Sequence, residues 1–173
     1  MYSYFIPSEF VRSVFHITPE TLKNKGVKGI ITDLDNTLVE WDRPEATPKL
    51  IEWFAAMKEA GIQITIVSNN NEMRVQAFAE PLGIPFISRA KKPLGKAFSQ
   101  ARKEMSFRKE EVVVIGDQLL TDVLGGNIQK LHTILVIPVA KSDGFVTKFN
   151  RMVERRIFRY LDKKGQVTWE EED

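Results

Sequence analysis

Two carboxylates two residues apart, Asp33 and Asp35, stand directly after the apolar run from Val27 to Thr32. Such a run reads as a short buried strand, and open α/β sheets gather ligands at the carboxyl ends of their strands. Acids placed there lose hydration and repel each other, so the pair makes sense around a cation or a shared proton. The blander reading is a strand end closed by an Asp-Asn turn. Three more chemically loaded groups hold comparable places. Ile62 to Val67 runs into Ser68-Asn69-Asn70, Lys91-Lys92-Pro93 opens the segment Leu94 to Met105, and Val112 to Ile115 runs into Gly116-Asp117, with Asp122 five residues beyond Asp117. A hydroxyl, an amide and backbone N–H groups at a strand end can stabilise an anion, and a lysine adds a compact positive charge.

Groups scattered this widely need a scaffold that brings strand ends together. A chain of 173 residues has the size of one α/β domain. Its apolar runs alternate with helical patterns, which predicts a parallel sheet of βα units. Strands are expected near 27–34, 62–68, 84–88, 112–116 and 132–137. Between the first two, Leu50, Phe54 and Met57 share a helical face with Trp53 beside them; 71–82 and 94–105 are shorter amphipathic segments. Gly125-Gly126 weakens the helix after Asp122 by roughly 1 kcal/mol per Gly relative to Ala, so close packing or a break is expected there.

Together the four motifs resemble those of the haloacid dehalogenase-like (HAD) hydrolases: D-x-D-x-T, a strand-terminal Ser or Thr, a Lys, and a closing acidic pair. The pattern covers Val27 to about Pro138. More narrowly, D-L-D-N-T-L followed by Glu40-Trp41-Asp42-Arg43, with Lys92-Pro93-Leu94-Gly95 and Gly116-Asp117-Gln118-x-x-Thr121-Asp122, is similar to the YqeG family of HAD subfamily IIIA. That branch is related to the phosphatidylglycerophosphate phosphatases of mitochondria and chloroplasts. The resemblance implies a Rossmann-like three-layer α/β sandwich with sheet order 5-4-1-2-3 and a Mg²⁺-dependent phosphomonoester hydrolase acting through an aspartyl-phosphate.

Asp33 is then the expected nucleophile and Asp35 the general acid and base, a role that requires a raised pKa. Ser68 and Asn69 would stabilise the phosphoryl oxygens, and Lys92 would neutralise the anionic cluster. Lys92 is preferred to Lys91 because the family's lysine stands directly before Pro, and Pro93 at a first helical position would direct it. Asp33, the backbone carbonyl of Asp35 and Asp117 are the implied Mg²⁺ ligands. Asp122 is expected to reach the metal through a water or to orient Lys92, or simply to complement a helix N-terminus.

The gaps between Asp35, Ser68 and Lys92 leave no room for a cap domain, which suggests a bulky substrate or an oligomer that supplies the lid. Glu40 to Arg43 is the expected flap, with Trp41 and Arg43 as substrate contacts or Trp41 simply packed. The flanks are an amphipathic N-terminal segment, 1–26, and a C-terminal part, 139–173. In Lys148 to Lys164, seven Lys or Arg stand against two acids, and Phe149, Met152, Val153, Ile157, Tyr160 and Leu161 recur at helical spacing. Such a helix either lies on an anionic membrane or docks on the protein's own sheet or a second subunit. Glu170 to Asp173 reads as a solvated tail.

A net charge of +2 is too small to argue for nucleic acid, and the absence of Cys removes disulfides and thiolate sites. No apolar run approaches the ~20 residues of a membrane span, and the N-terminus lacks a signal-peptide pattern. The expectation is a cytoplasmic protein, with a peripheral place at the inner face of the membrane if the amphipathic ends bind lipid. Phosphatidylglycerophosphate is the first substrate suggested, followed by phosphoproteins and sugar phosphates. A phosphoacceptor signalling domain and a non-catalytic scaffold are the alternatives outside hydrolysis.

Overall fold

Strands that are apolar along their whole length must be covered on both faces, and the two most apolar runs of this chain form the sheet centre. The computed structural model describes residues 2–140 and 145–165. Every residue of β2 (Gly29–Thr32) and β5 (Val112–Gly116) is buried. With β1 (Glu9–Val11), β3 (Gln63–Val67), β4 (Phe86–Ile87) and β6 (His132–Val136) they make a parallel sheet in the order β1-β6-β5-β2-β3-β4. The five predicted strands thus take the expected order, and β1 is an addition at one edge. Sequence reading missed β1 because three half-buried residues carry no periodicity. Its pairing of Glu9 with Ile134 and Val11 with Val136 is tertiary, reinforced by a 2.6 Å contact between His132 Nε2 and Glu9 Oε1.

Ile30 and Ile31 point to opposite faces, and each belongs to a different apolar cluster. Ile30 packs with Leu50, Phe54 and Met57 of α2 (Pro48–Glu59) and with Val75 and Phe78 of α3 (Glu72–Ala79). Ile31 packs with Ala97, Phe98, Ala101 and Met105 of α4 (Lys96–Met105). The result is three layers, with no cap domain among the described residues. Thr47 starts α2 by accepting the Leu50 N–H at 3.2 Å, and Asn71 starts α3 by accepting that of Arg74 at 2.9 Å. Pro93 precedes α4 by three residues instead of opening it, so the expected helical direction for Lys92 is replaced by a turn.

Register decides what the strand ends present. Thr32 lies opposite both Ile115 of β5 and Ile66 of β3. Asp33 therefore emerges level with Gly116 and Val67, one residue short of Asp117 and Ser68. After β5 the chain makes a π-helical turn, Leu119–Val123, and a short α5, Leu124–Ile128. The glycine pair there serves close packing: a Cβ on Gly125 would fall 2.4 Å from Phe98, and one on Gly126 2.5 Å from Thr133.

Both flanks fold against the sheet. From the N-terminal segment, Val14, Ile17 and Leu22 of α1 (Pro19–Asn24) enter the core, and Trp53 donates its indole N–H to Ile17 O at 2.9 Å. From α6 (Phe145–Lys163), Ile157 and Leu161 pack on Leu119, Val123 and Leu135, joined by Phe5, Ile6 and Phe10. Val153, Ile157 and Leu161 of the predicted stripe are thus spent on the protein itself, while Met152 and Tyr160 stay exposed. No helix among the described residues is long and apolar enough to cross a membrane, and the acidic end 170–173 lies outside them.

Gly126→Ala should destabilise the fold by about 1–3 kcal/mol through overpacking against Thr133 and Val114. Urea unfolding measures this, and an unchanged midpoint would show that the α5–β6 contact is slack.

Candidate functional site

Asp33 leaves β2 with its amide donating to Ile115 O of β5 at 3.0 Å, which holds the carboxylate over the sheet end. Lys92 reaches it from the turn before α4. Its ammonium donates to Asp33 Oδ1 at 2.9 Å and to Asp122 Oδ1 at 2.7 Å, with the lysine side chain only 2% exposed. Burial works against that charge, but Asp122 and Asp33 outweigh it and hold the Lys92 pKa above its ordinary value. Lys91 faces solvent, so of the two lysines it is Lys92 that reaches the acids.

Asp117 and Asp122 complete a buried triad whose carboxylate oxygens lie within 4.8 Å of those of Asp33. Thr37 Oγ1 donates to Asp117 Oδ1 at 2.8 Å, and the Gln118 amide donates to Asp122 Oδ2 at 3.2 Å. Asp122 thus both satisfies an N–H at the head of a helical turn and orients Lys92. Gly116 makes room for it: a Cβ there would fall 2.2 Å from Asp122 Cγ. Burial, with Asp33 adding to it, pushes the Asp117 carboxyl well up, while Arg151 and Thr37 pull it back. Burial also pushes Asp122 up to about 6 against the pull of Lys92. Three clustered buried carboxylates, two bonded to Lys92 and the third to Arg151, keep a surplus of negative charge. Hard oxygen donors in that state suit Mg²⁺, and Asp33, Asp117 and Asp122 would hold it.

Asp35 is kept apart from that cluster. Arg74, from the first turn of α3, donates to Asp35 Oδ1 from Nη2 at 3.0 Å and from Nε at 3.2 Å, and Asn70 Nδ2 donates to Oδ2 at 2.8 Å. Its pKa is raised, chiefly by burial, with Asn70 and Arg74 opposing and Asp33 adding. Two carboxylates two residues apart therefore occupy distinct environments, one against an ammonium and one at the mouth.

Ser68 is buried, and its Oγ accepts the Asn70 amide at 3.1 Å. Asn69 departs from expectation. Its amide is committed to the Lys92 backbone, accepting Lys92 N–H at 2.7 Å and donating to Lys92 O at 3.2 Å, so it fixes the lysine turn where a direct anion contact was expected. A cavity of about 270 Å³ opens over these groups, lined also by Trp41, Gln118, Thr121 and Asn150. Trp41 is 43% exposed and stands on the flap, whose amide at that residue donates to Asn36 Oδ1 at 3.1 Å. Asn36 sits at φ 62, a left-handed conformation that Asn tolerates. Arg43 is absent from the lining; it faces Glu40 at 3.8 Å on the outer side.

Sequence reading missed Arg74, Asn70 and the hydroxyl role of Thr37. It also missed Arg151, which grips Asp117 from α6. Thr37 was visible inside the D-x-D-x-T motif. Arg74 and Arg151 carried no local signal, because only the fold brings them to an acid.

Without a divalent metal, the folded protein binds a proton at Asp122 near pH 6 that the unfolded chain, with an ordinary value of 3.8, has released. Stability should therefore rise as pH falls from above 6 toward 3.8, and saturating Mg²⁺ should flatten that slope. Thermal unfolding in EDTA and in Mg²⁺ tests this; a metal-free Tm that holds level across the window would remove the buried charge surplus.

The haloacid dehalogenase-like hydrolase pattern matches residues 8–127. The probable phosphatase YqeG of Bacillus subtilis (strain 168) is 69% identical over 168 residues, spanning 97% of this chain and 98% of that protein. Phosphatidylglycerophosphate phosphatase 1 of Arabidopsis thaliana chloroplasts and mitochondria is 28% identical over 171 residues; the alignment takes in 92% of this chain and 49% of that relative, about half its length. The cobalt-bound deoxy-D-mannose-octulosonate 8-phosphate phosphatase of Haemophilus influenzae shares the fold at a TM-score of 0.54, with 16% identity over 79% of this chain and 92% of that one. Since the matched stretch holds β2, β3 and β5 together with the carboxylates and the lysine at their ends, the chain belongs to the haloacid dehalogenase-like hydrolases.

Proposed function

We propose that the chain is a phosphatase that removes phosphate from a monoester through an aspartyl-phosphate on Asp33, and that its substrate is an anionic lipid phosphate of the phosphatidylglycerophosphate kind. The observation that carries the reading is the separation of Asp33 from Asp35. The Lys92 ammonium, 2.9 Å from Asp33 Oδ1, holds that carboxylate aimed, as a nucleophile requires. The raised pKa of Asp35 suits it to give a proton to the leaving alkoxide as Asp33 bonds to phosphorus. In the second half-reaction Asp35, now ionised, takes a proton from the water that attacks the aspartyl-phosphate, and Asp33 leaves as a carboxylate with inorganic phosphate as the product. Ser68 and the Lys92 ammonium would stabilise the negative charge that gathers on the phosphoryl oxygens. Asp33, Asp117 and Asp122, with the Asp35 carbonyl, would hold Mg²⁺, which would supply the positive charge that lets an anionic nucleophile approach an anionic ester.

The lipid reading rests on three supports. Relatives named as phosphatidylglycerophosphate phosphatases align over most of the chain. No cap domain covers the cavity among the described residues, and Trp41 and Asn150 stand in its lining. From Asn150 onward, α6 presents exposed Arg155, Arg156, Arg159, Met152 and Tyr160, a face that matches an anionic bilayer in charge. With its inner stripe already buried, α6 would bind a membrane through that outer face, placing a cytoplasmic enzyme at the inner leaflet. The spacing of Asp35 from Asp33 favours turnover over a lingering phosphoacceptor, since a second acid is in place to activate water.

Phosphate release from phosphatidylglycerophosphate in mixed micelles, compared with an aryl phosphate and a sugar phosphate in Mg²⁺, should favour the lipid. Asp33→Asn should abolish release from all three, as should EDTA. Equal rates on every ester would overturn the lipid assignment, and activity in Asp33→Asn would overturn the nucleophile. Asp35→Asn should slow turnover by about 10²–10⁴-fold and leave phosphoenzyme visible in acid-quenched intact mass; wild-type turnover in that variant would remove its acid/base role.

A further inference from the structure

α6 brings one residue to the catalytic edge that belongs to none of the four motifs and lies outside the matched stretch 8–127. Arg151 donates from Nη1 to the main-chain carbonyl of Asp117 at 2.5 Å and from Nη2 to Asp117 Oδ2. The two contacts grip a single residue by its backbone and its carboxylate, while Thr37 Oγ1 holds the other carboxylate oxygen at 2.8 Å. Each carboxylate oxygen has two acceptor directions, so Asp117 keeps capacity for a further partner while its side-chain rotation is fixed from both sides.

Arg151 is itself held. Nη1 also donates to Glu154 Oε2 at 3.1 Å, and Glu154 Oε1 accepts the Leu120 amide at 3.2 Å. Glu154 is 2% exposed. It lies one turn before Ile157 and two before Leu161, so a carboxylate and a guanidinium occupy the inner end of an otherwise apolar stripe. Burying this pair costs desolvation that apolar side chains in the same places would avoid. What the pair provides is a rigid link from α6 to Asp117 and to the π-helical turn that carries Asp122.

We propose that Arg151, buttressed by Glu154, is a positioning residue that holds the Asp117 carboxylate in the orientation required to bind the divalent cation. This rests on the metal-site reading of Asp33, Asp117 and Asp122. Partners that orient a ligand from outside the coordination sphere typically contribute 10–100-fold in metal affinity or activity. A positive charge beside a metal also has an opposing Coulombic effect, so the test keeps the charge constant and changes only the geometry. Lys in place of Arg151 retains the charge and offers one point of attachment where the guanidinium offers a fork.

Mg²⁺ binding to the wild type, Arg151→Lys and the exposed control Lys103→Arg should be measured by isothermal titration calorimetry on full-length protein, with the metal-free Tm of each. Arg151→Lys should weaken Mg²⁺ binding about tenfold or more, and Lys103→Arg should leave it unchanged. Glu154→Asp, which keeps its charge and shortens its reach, should weaken binding in the same direction and serves as the probe if Arg151→Lys does not fold. A charge-conserving variant that lowers the metal-free Tm but binds Mg²⁺ as the wild type does would overturn the proposal, since Arg151 would then only anchor α6. Failure of the wild type to bind Mg²⁺ would overturn the metal site and this inference with it.

Discussion

Negative charge confined at the carboxyl ends of two adjacent buried strands is the constraint around which this protein is organised. Asp33 and Asp117 leave β2 and β5 side by side, and Asp122 turns back toward both. Removing carboxylates from water is costly unless cations and hydrogen bonds replace it. Lys92 therefore lies almost fully buried between Asp33 and Asp122. The Asn69 amide is occupied in clamping the turn that delivers Lys92, and Gly116 is a glycine because any side chain there would displace Asp122. The residual negative charge is what makes a divalent cation a natural occupant.

The same edge separates two acids that are near neighbours in the chain. Leu34, fully buried in the core, pins the turn between them, so Asp33 faces inward to Lys92 while Asp35 is drawn to Asn70 and Arg74. Arg74 also donates to Pro44 O at 3.4 Å. Through that contact Arg74 joins the acid Asp35 to the chain that follows the flap. The division of labour between a nucleophile and a proton carrier follows from this difference in surroundings, since the two side chains are chemically identical.

The ends of the chain also belong to the working structure. Phe5, Ile6 and Phe10 from one end and Ile157 and Leu161 from the other pack over the turn that carries Asp122. Both ends were amphipathic in sequence, and amphipathicity records only that an apolar stripe must be covered. Val153, Ile157 and Leu161 of α6 are covered by the chain's own residues, which leaves an outer face of arginines with Met152 and Tyr160 to meet solvent or an anionic surface.

The strand order and the roles of Asp35, Lys92 and Asp122 were expected from the family resemblance, whereas Asp33 and Asp117 were legible in the chain because each stands one residue beyond an apolar strand run. That proximity is local, and local order survives in a one-dimensional text. β1 was hidden because its three residues become a strand only by pairing with β6. The expected helical start at Pro93 gave way to a turn, and Asn69 moved from anion contact to clamp because its partner, the Lys92 backbone, is far away in sequence. Arg74 and Arg151 lie 39 and 34 residues from the carboxylates they grip. The chain alone determined which chemical groups sit at the strand ends; the tertiary structure decided which cation each acid receives, because pairing over such distances is set by how helices pack across the sheet.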